Sequence, residues 1–88
     1  MGCVKGMDTK YYVYILRSQK SGYRYIGQTT NIFKRLIEHN TGLSAATRNQ
    51  RPYTLEYSEQ YSTRKEAMQR EGFLKTGKGR EWLKQNVG

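Results

Sequence analysis

Tyr25, Arg35 and His39 bring a phenol, a guanidinium and an imidazole within fifteen residues of one another. A phenol can hold or release a proton, a guanidinium grips phosphate oxygens through paired N–H groups, and an imidazole titrates near neutral pH. Together they suit phosphate chemistry. Arg35 and His39 are four residues apart, so on a helix they lie on one face, a turn apart. The segment around them predicts such a helix. Thr30 or Asn31 serves as N-cap, Ile32, Phe33, Leu36 and Ile37 form an apolar stripe, and Gly42 offers a left-handed stop. At the edge of that stripe, Arg35 and His39 would anchor their stems on the core and reach into a cleft over a sheet.

The sheet comes from the preceding residues. Tyr12-Val13-Tyr14, inside the apolar run Tyr11 to Leu16, is separated from Tyr25-Ile26-Gly27 by a turn-like stretch containing Ser21-Gly22, so the two runs predict a hairpin. Alternation puts Tyr12 and Tyr14 on one face of the first strand and Tyr23 and Tyr25 on one face of the second. Where those faces coincide, Tyr14 meets Tyr25. On these motifs the chain resembles the GIY-YIG endonuclease superfamily, with Tyr12-Val13-Tyr14 in place of the first triplet and Tyr25-Ile26-Gly27 matching the second letter for letter. The resemblance runs from Lys10 to Gln85. It is closest to short standalone bacterial members similar to the N-terminal nuclease domain found in the C component of excinuclease ABC.

The rest of the chain fits one small domain. Residues 1–9 form a loose leader, within which Met7 is an alternative start, and residues 10–88 form the domain. The polar stretch from Asn40 to Tyr53, with Arg48 and Arg51, suits a strand-gripping loop or a plain surface loop. A half-buried strand follows from Thr54 to Tyr61, with Leu55, Tyr57 and Tyr61 on one parity and Glu56, Ser58 and Gln60 on the other. It belongs at an edge of the sheet, because the first strand is apolar on both parities and fits the middle. Thr63-Arg64-Lys65-Glu66 is a capping box opening a second helix, expected to run to Thr76 with Gly77 as terminator. On that helix Glu71 falls between Ala67 and Leu74 and faces inward. A buried carboxylate needs a cation, either a metal or a basic side chain such as Arg35. A short third helix, begun near Gly79, packs through Trp82 and Leu83, and Lys75, Lys78 and Arg80 beside it could track a phosphate backbone. The whole predicts an α/β (α+β) domain with a small three-stranded antiparallel sheet flanked by three helices.

Composition agrees. Lys plus Arg exceed Asp plus Glu by 16 − 7 = 9 in 88 residues. A polyanion is the natural partner of such a surface, and solubility alone is the bland alternative. The eight tyrosines supply aromatic faces for unstacked bases, although most should pack the sheet. The single cysteine, Cys3, cannot form an internal disulfide, which together with the lack of a signal peptide or long apolar segment predicts a soluble cytoplasmic protein.

The resemblance implies a metal-dependent endonuclease on DNA, structure-specific and repair-related, with RNA not excluded. It implies roles for Tyr14 and Tyr25 as motif tyrosines, Arg35 at the scissile phosphate, His39 in proton handling and Glu71 as ligand of one Mg2+ or Mn2+ ion. Tyrosine as base is demanding, because a phenol near its reference pKa of about 10 is protonated at neutral pH. Tyr12 departs from the usual glycine of the first triplet, Gln28 replaces the lysine of excinuclease-type members, and the late asparagine has no secure match, Asn86 lying too near the terminus. One rival is a nucleic-acid-binding module that has lost useful catalysis on the same scaffold. Another is a protein-interaction module whose basic face meets an acidic partner.

Overall fold

A computed structural model describes residues 9–42 and 48–87, so the leader lies outside the described residues except for Thr9. Three strands, β1 (Tyr11–Ser18), β2 (Arg24–Thr29) and β3 (Tyr53–Tyr61), form one sheet with the order β2-β1-β3. Both pairings are antiparallel. Three helices accompany them: α1 (Ile32–Thr41), α2 (Arg64–Leu74) and α3 (Gly77–Asn86). The α+β architecture is the one expected. The central place of β1 follows from its residues, since Val13, Tyr14, Ile15 and Leu16 are all buried and only a strand covered on both faces can hide four in a row.

Each face has its own core. Val13, Ile15 and Ile26 pack with Ala67, Leu74 and Leu83 from α2 and α3, while Tyr14, Leu16 and Tyr53 pack with Tyr25, Ile32 and Leu36 on the α1 side. The sheet is therefore the middle of three layers. Trp82 and Leu83 anchor α3 as expected, and the Arg70 guanidinium sits 4.5 Å from the centroid of the Trp82 ring.

The alternation along β3 is not the uniform one that its sequence suggests. Ile15 pairs with Tyr57 but Leu16 pairs with Leu55, so a bulge leaves Glu56 between them. The bulge resets the faces. Tyr57 and Tyr61 join the α2/α3 core, whereas Tyr53, of the same parity, joins the α1 core. Glu56 accepts hydrogen bonds from Arg17 (2.8 Å and 3.0 Å) and from Arg24 (2.9 Å and 3.3 Å). Burial pushes its carboxyl upward, but the two guanidiniums outweigh that and hold it below the usual range.

The junction of α2 and α3 also differs from expectation. Thr63 caps α2 by accepting from the Glu66 N–H, as the capping box requires, but α2 ends at Leu74 and Gly77 opens α3 instead of closing α2. Thr76 makes the turn. Its hydroxyl donates to the Phe73 carbonyl (2.6 Å) and accepts from the Gly79 N–H (3.1 Å). Gly79 is buried hard against the end of α2, where a Cβ would lie 2.0 Å from the Phe73 carbonyl oxygen and 2.5 Å from the Leu74 Cα. Those are backbone atoms, which cannot swing aside. Gly79→Ala should therefore cost about 1–3 kcal/mol or more by overpacking. Urea unfolding checks this: a midpoint close to wild type would show that the two helices can part cheaply.

Candidate active site

The site begins with a tyrosine that lies across a glycine. Tyr14 of β1 pairs with Gly27 of β2, and a Cβ on Gly27 would lie 2.6 Å from the Tyr14 hydroxyl oxygen and 2.8 Å from Cζ. The missing side chain is the space that the phenol occupies. Tyr25 is two residues along the same strand, and its ring centroid lies 6.3 Å from that of Tyr14. The two motif tyrosines meet, as the hairpin predicts.

Helix α1 supplies the imidazole. Asn31 caps it, its side chain accepting from the Lys34 N–H at 3.0 Å. Gly42, at φ 85°, closes it with its N–H directed to the Glu38 and His39 carbonyls. The inward face differs from the expected stripe. Phe33 is 77% exposed and Ile37 61%, while His39, expected at an edge, is fully buried. Ile32, Leu36 and His39 are spaced i, i+4, i+7 and meet the sheet, which turns Phe33 and Ile37 outward. His39 Nε2 is 3.3 Å from the Tyr14 hydroxyl, and its ring centroid lies 4.7 Å from Tyr25 and 5.9 Å from Tyr53. Asn40 fastens the start of β3 beneath it, accepting from the Tyr53 N–H (2.6 Å) and donating to the Tyr53 carbonyl (3.0 Å).

Burial dominates the electrostatics. It raises the Tyr14 pKa above the ordinary phenol value, and the Arg35 guanidinium beside the hydroxyl only partly offsets it, while Tyr25 and Glu71 add to the rise. Burial, with the positive charge of Arg35, lowers the pKa of His39. Near neutral pH the pair is thus a phenol and a neutral imidazole. In the tautomer protonated at Nδ1, the Tyr14 hydroxyl donates to His39 Nε2. Arg35 is bonded to Glu38 at 2.7 Å as well as lying next to Tyr14. Tyr53 is a member that the sequence does not single out. Its hydroxyl is buried without a hydrogen-bond partner among the described residues, and burial followed by the nearby Tyr23 and Tyr25 raises its pKa.

Glu71, partly buried, has the cation that its inward place demands. It is Lys75, with Nζ 2.9 Å from Oε2, and not Arg35. Among the described residues no three His, Cys, Asp or Glu side chains gather to cage a metal. A lone carboxylate is the donor set of a hard cation that keeps waters and takes its remaining oxygens from phosphate, so Glu71 fits Mg2+ or Mn2+ on those terms. The expected nucleic-acid contacts fall in different places. Lys75 and Arg80 line one groove, whereas Arg51 and Lys78 are exposed and lie outside that groove. Arg48 belongs to a 3-10 turn, Arg48–Gln50, but its side chain and residues 43–47 of that loop lie outside the described residues. Asn86 donates to the carbonyl of Trp82 (2.8 Å), within its own helix.

Comparison with known proteins gives the family. The model of the GIY-YIG catalytic domain matches residues 10–85. The chain belongs to the GIY-YIG family, whose domain is that of a nuclease acting on nucleic acid, in general with a divalent metal. It is 42% identical to a UPF0213 protein of Staphylococcus haemolyticus over 76 residues, covering 85% of this chain and 92% of the relative. A UPF0213 protein of Bacillus licheniformis is 43% identical over 70 residues, covering 78% and 72%. The solution NMR structure of a UPF0213 protein from Bacillus halodurans superposes with a TM-score of 0.55 at 30% identity, covering 90% of this chain and 87% of that one. No helix among the described residues is long and apolar enough to cross a membrane.

The buried imidazole of this GIY-YIG domain sets a dependence of stability on pH. Folding lowers its pKa below the usual 6.5, so the unfolded chain binds the proton more tightly. The neutral form's contribution is complete above pH 6.5 and is lost as pH falls through the folded pKa. His39 is the only histidine, and carboxylates titrate lower. His39→Gln should therefore flatten the fall in stability between pH 6.5 and about 5. Urea titrations at several pH values test this, and an unchanged slope would assign the loss to other groups.

Proposed function

We propose that this GIY-YIG domain is a divalent-metal-dependent endonuclease hydrolysing DNA phosphodiester bonds, with branched and flapped repair structures the first substrates to try. The observation that carries the proposal is the convergence of Tyr14, Tyr25, Arg35 and His39 in one cluster, with Glu71 close enough to bear on the Tyr14 phenol. Phosphodiester hydrolysis needs a water relieved of its proton and charge stabilisation at phosphorus. Arg35 holds the scissile phosphate through its planar fork, which lysine lacks. Glu71, once released by Lys75, would hold the divalent cation, which would supply positive charge to offset that of the phosphate.

The tyrosine alone is a poor base, because burial holds it as the protonated phenol near neutral pH. The Tyr14–His39 pair is a better one. As the water attacks phosphorus and the bond to the departing oxygen breaks, the water's proton passes to the Tyr14 oxygen while the phenolic proton moves to His39 Nε2, which burial keeps neutral and ready to accept. The departing alkoxide takes a proton from solvent. Tyr25 packs against the imidazole and fixes its plane.

Glu71→Gln should abolish cleavage and leave the fold intact, since the neutral isostere cannot hold the cation while the lost ion pair with Lys75 is a partly exposed one of small worth. Digestion of branched, flapped, single-stranded and duplex DNA with Mg2+ or Mn2+, then with chelator, reads it out. Wild-type cleavage that survives chelator, or an unfolded variant, would return Glu71 to a structural role. Arg35→Lys should lower turnover by roughly 10²-fold with only a modest loss of binding, because the charge stays but the fork does not. Near-normal turnover would place Arg35 away from the scissile phosphate.

A further inference from the structure

A groove of about 740 Å³ runs along β2, an outer strand of the sheet, beside α3. That is the scale of a small-molecule or nucleotide site. Two of its residues, Arg80 and Lys84, are four apart on α3, so their cations lie a turn apart on one face. Neither makes an ion pair among the described residues. Arg17 and Arg24, also on the groove, share the one carboxylate of Glu56, so that corner too keeps a net positive charge. The lining is not purely polar. Ile26 and Leu83 give it an apolar floor, and Tyr23, 58% exposed, presents an aromatic ring.

Two contacts join the groove to the tyrosine–histidine cluster. Tyr25 lines the groove and packs on His39, and Lys75 lines it while holding Glu71. A ligand for such a site needs negative charge at the α3 end and a flat face for Tyr23. A duplex offers the charge but keeps its base faces stacked, whereas an unpaired nucleotide offers both.

We propose that the groove takes an unpaired nucleotide of the strand flanking the cleaved bond, with its phosphate on Arg80 and Lys84 and its base against Tyr23. The substrate class is then nucleic acid with a single-stranded flank. Cleavage of that bond rests on the nuclease reading above, but the groove's ligand does not, so binding is measured in chelator, where no metal-dependent cut can intervene.

Fluorescence anisotropy with a labelled oligothymidylate and a blunt duplex of equal length gives the test. Wild type should prefer the single strand. Tyr23→Ala should weaken single-strand binding about tenfold and leave duplex binding unchanged, with Tyr23→Phe close to wild type. Arg80→Ala with Lys84→Ala should reduce the slope of log affinity against log salt by about 1.4 on the single strand, as expected for two phosphate contacts. All these side chains are exposed, and matching thermal melts confirm that the variants are folded. Equal binding of duplex and single strand by wild type, or unaltered single-strand affinity in Tyr23→Ala, overturns the proposal. Adding Mg2+ or Mn2+ to the same oligonucleotides and to branched and flapped DNA separates the two readings: binding as described with no cleavage of any of these DNAs sinks the nuclease assignment and leaves the groove standing.

Discussion

Everything at the candidate active site depends on one close approach, that of the Tyr14 ring to the backbone of Gly27. The phenol can lie over β2 only because position 27 has no side chain, and only in that place does its hydroxyl come within 3.3 Å of His39 Nε2. The same approach settles the rest of that layer. With Tyr14 flat on the sheet, α1 must present a face that accommodates a phenol, and His39 sinks between Tyr14, Tyr25 and Tyr53. The polar pair lies in an aromatic box, where an unbonded hydroxyl or ring nitrogen would cost on the order of 1–3 kcal/mol. Satisfying each other is what allows both to be there.

The charged groups divide in a similar way. On the α2/α3 side, Glu59 accepts from the hydroxyls of Tyr57 and Tyr61 and from Arg70, and Glu56 accepts from Arg17 and Arg24. These carboxylates are fully engaged inside the fold. Glu71 and Glu38 are engaged more loosely, each with a single cation among the described residues, Lys75 at the C-cap of α2 and Arg35 on α1. A carboxylate tied only to a flexible lysine one turn away can change partners, which a carboxylate clamped by two arginines cannot do without breaking the core.

Much of this is legible in the residues, and what escapes does so for physical reasons. The apolar run from Tyr11 to Leu16 marks the central strand, Ser21-Gly22 the hairpin, and Asn31 and Gly42 the ends of α1, because each is a local preference that the chain carries with it. The burial of His39 is not legible, since Phe33 and Ile37 compete for the same face and only the Tyr14 hydroxyl, twenty-five residues away, tips the choice. Gly77 looks like a terminator because glycine commonly ends helices. The glycine demanded by packing is Gly79, and that demand arises from the backbone of Phe73 and Leu74, which only the folded chain brings near. Lys75 is the partner that i, i+4 spacing alone offers to Glu71, nearer along the chain than the arginine that an inward carboxylate suggests.

The bulge at Glu56 makes β3 two half-strands with opposite duties. Its first half furnishes Tyr53 to the histidine box and its second half furnishes Tyr57 and Tyr61 to the opposite core. One added residue thus acts as a phase shifter, letting a single nine-residue strand serve as wall for two rooms. It also carries the charge that holds Arg17 and Arg24 together. Removing Glu56 would leave Leu55 opposite Leu16 and Tyr57 opposite Ile15, so the later side chains would keep their faces, but two guanidiniums would be left facing each other without their carboxylate. Glu56 must therefore travel with Arg17 and Arg24 in any graft or redesign of this edge, whatever happens to the side chains around them.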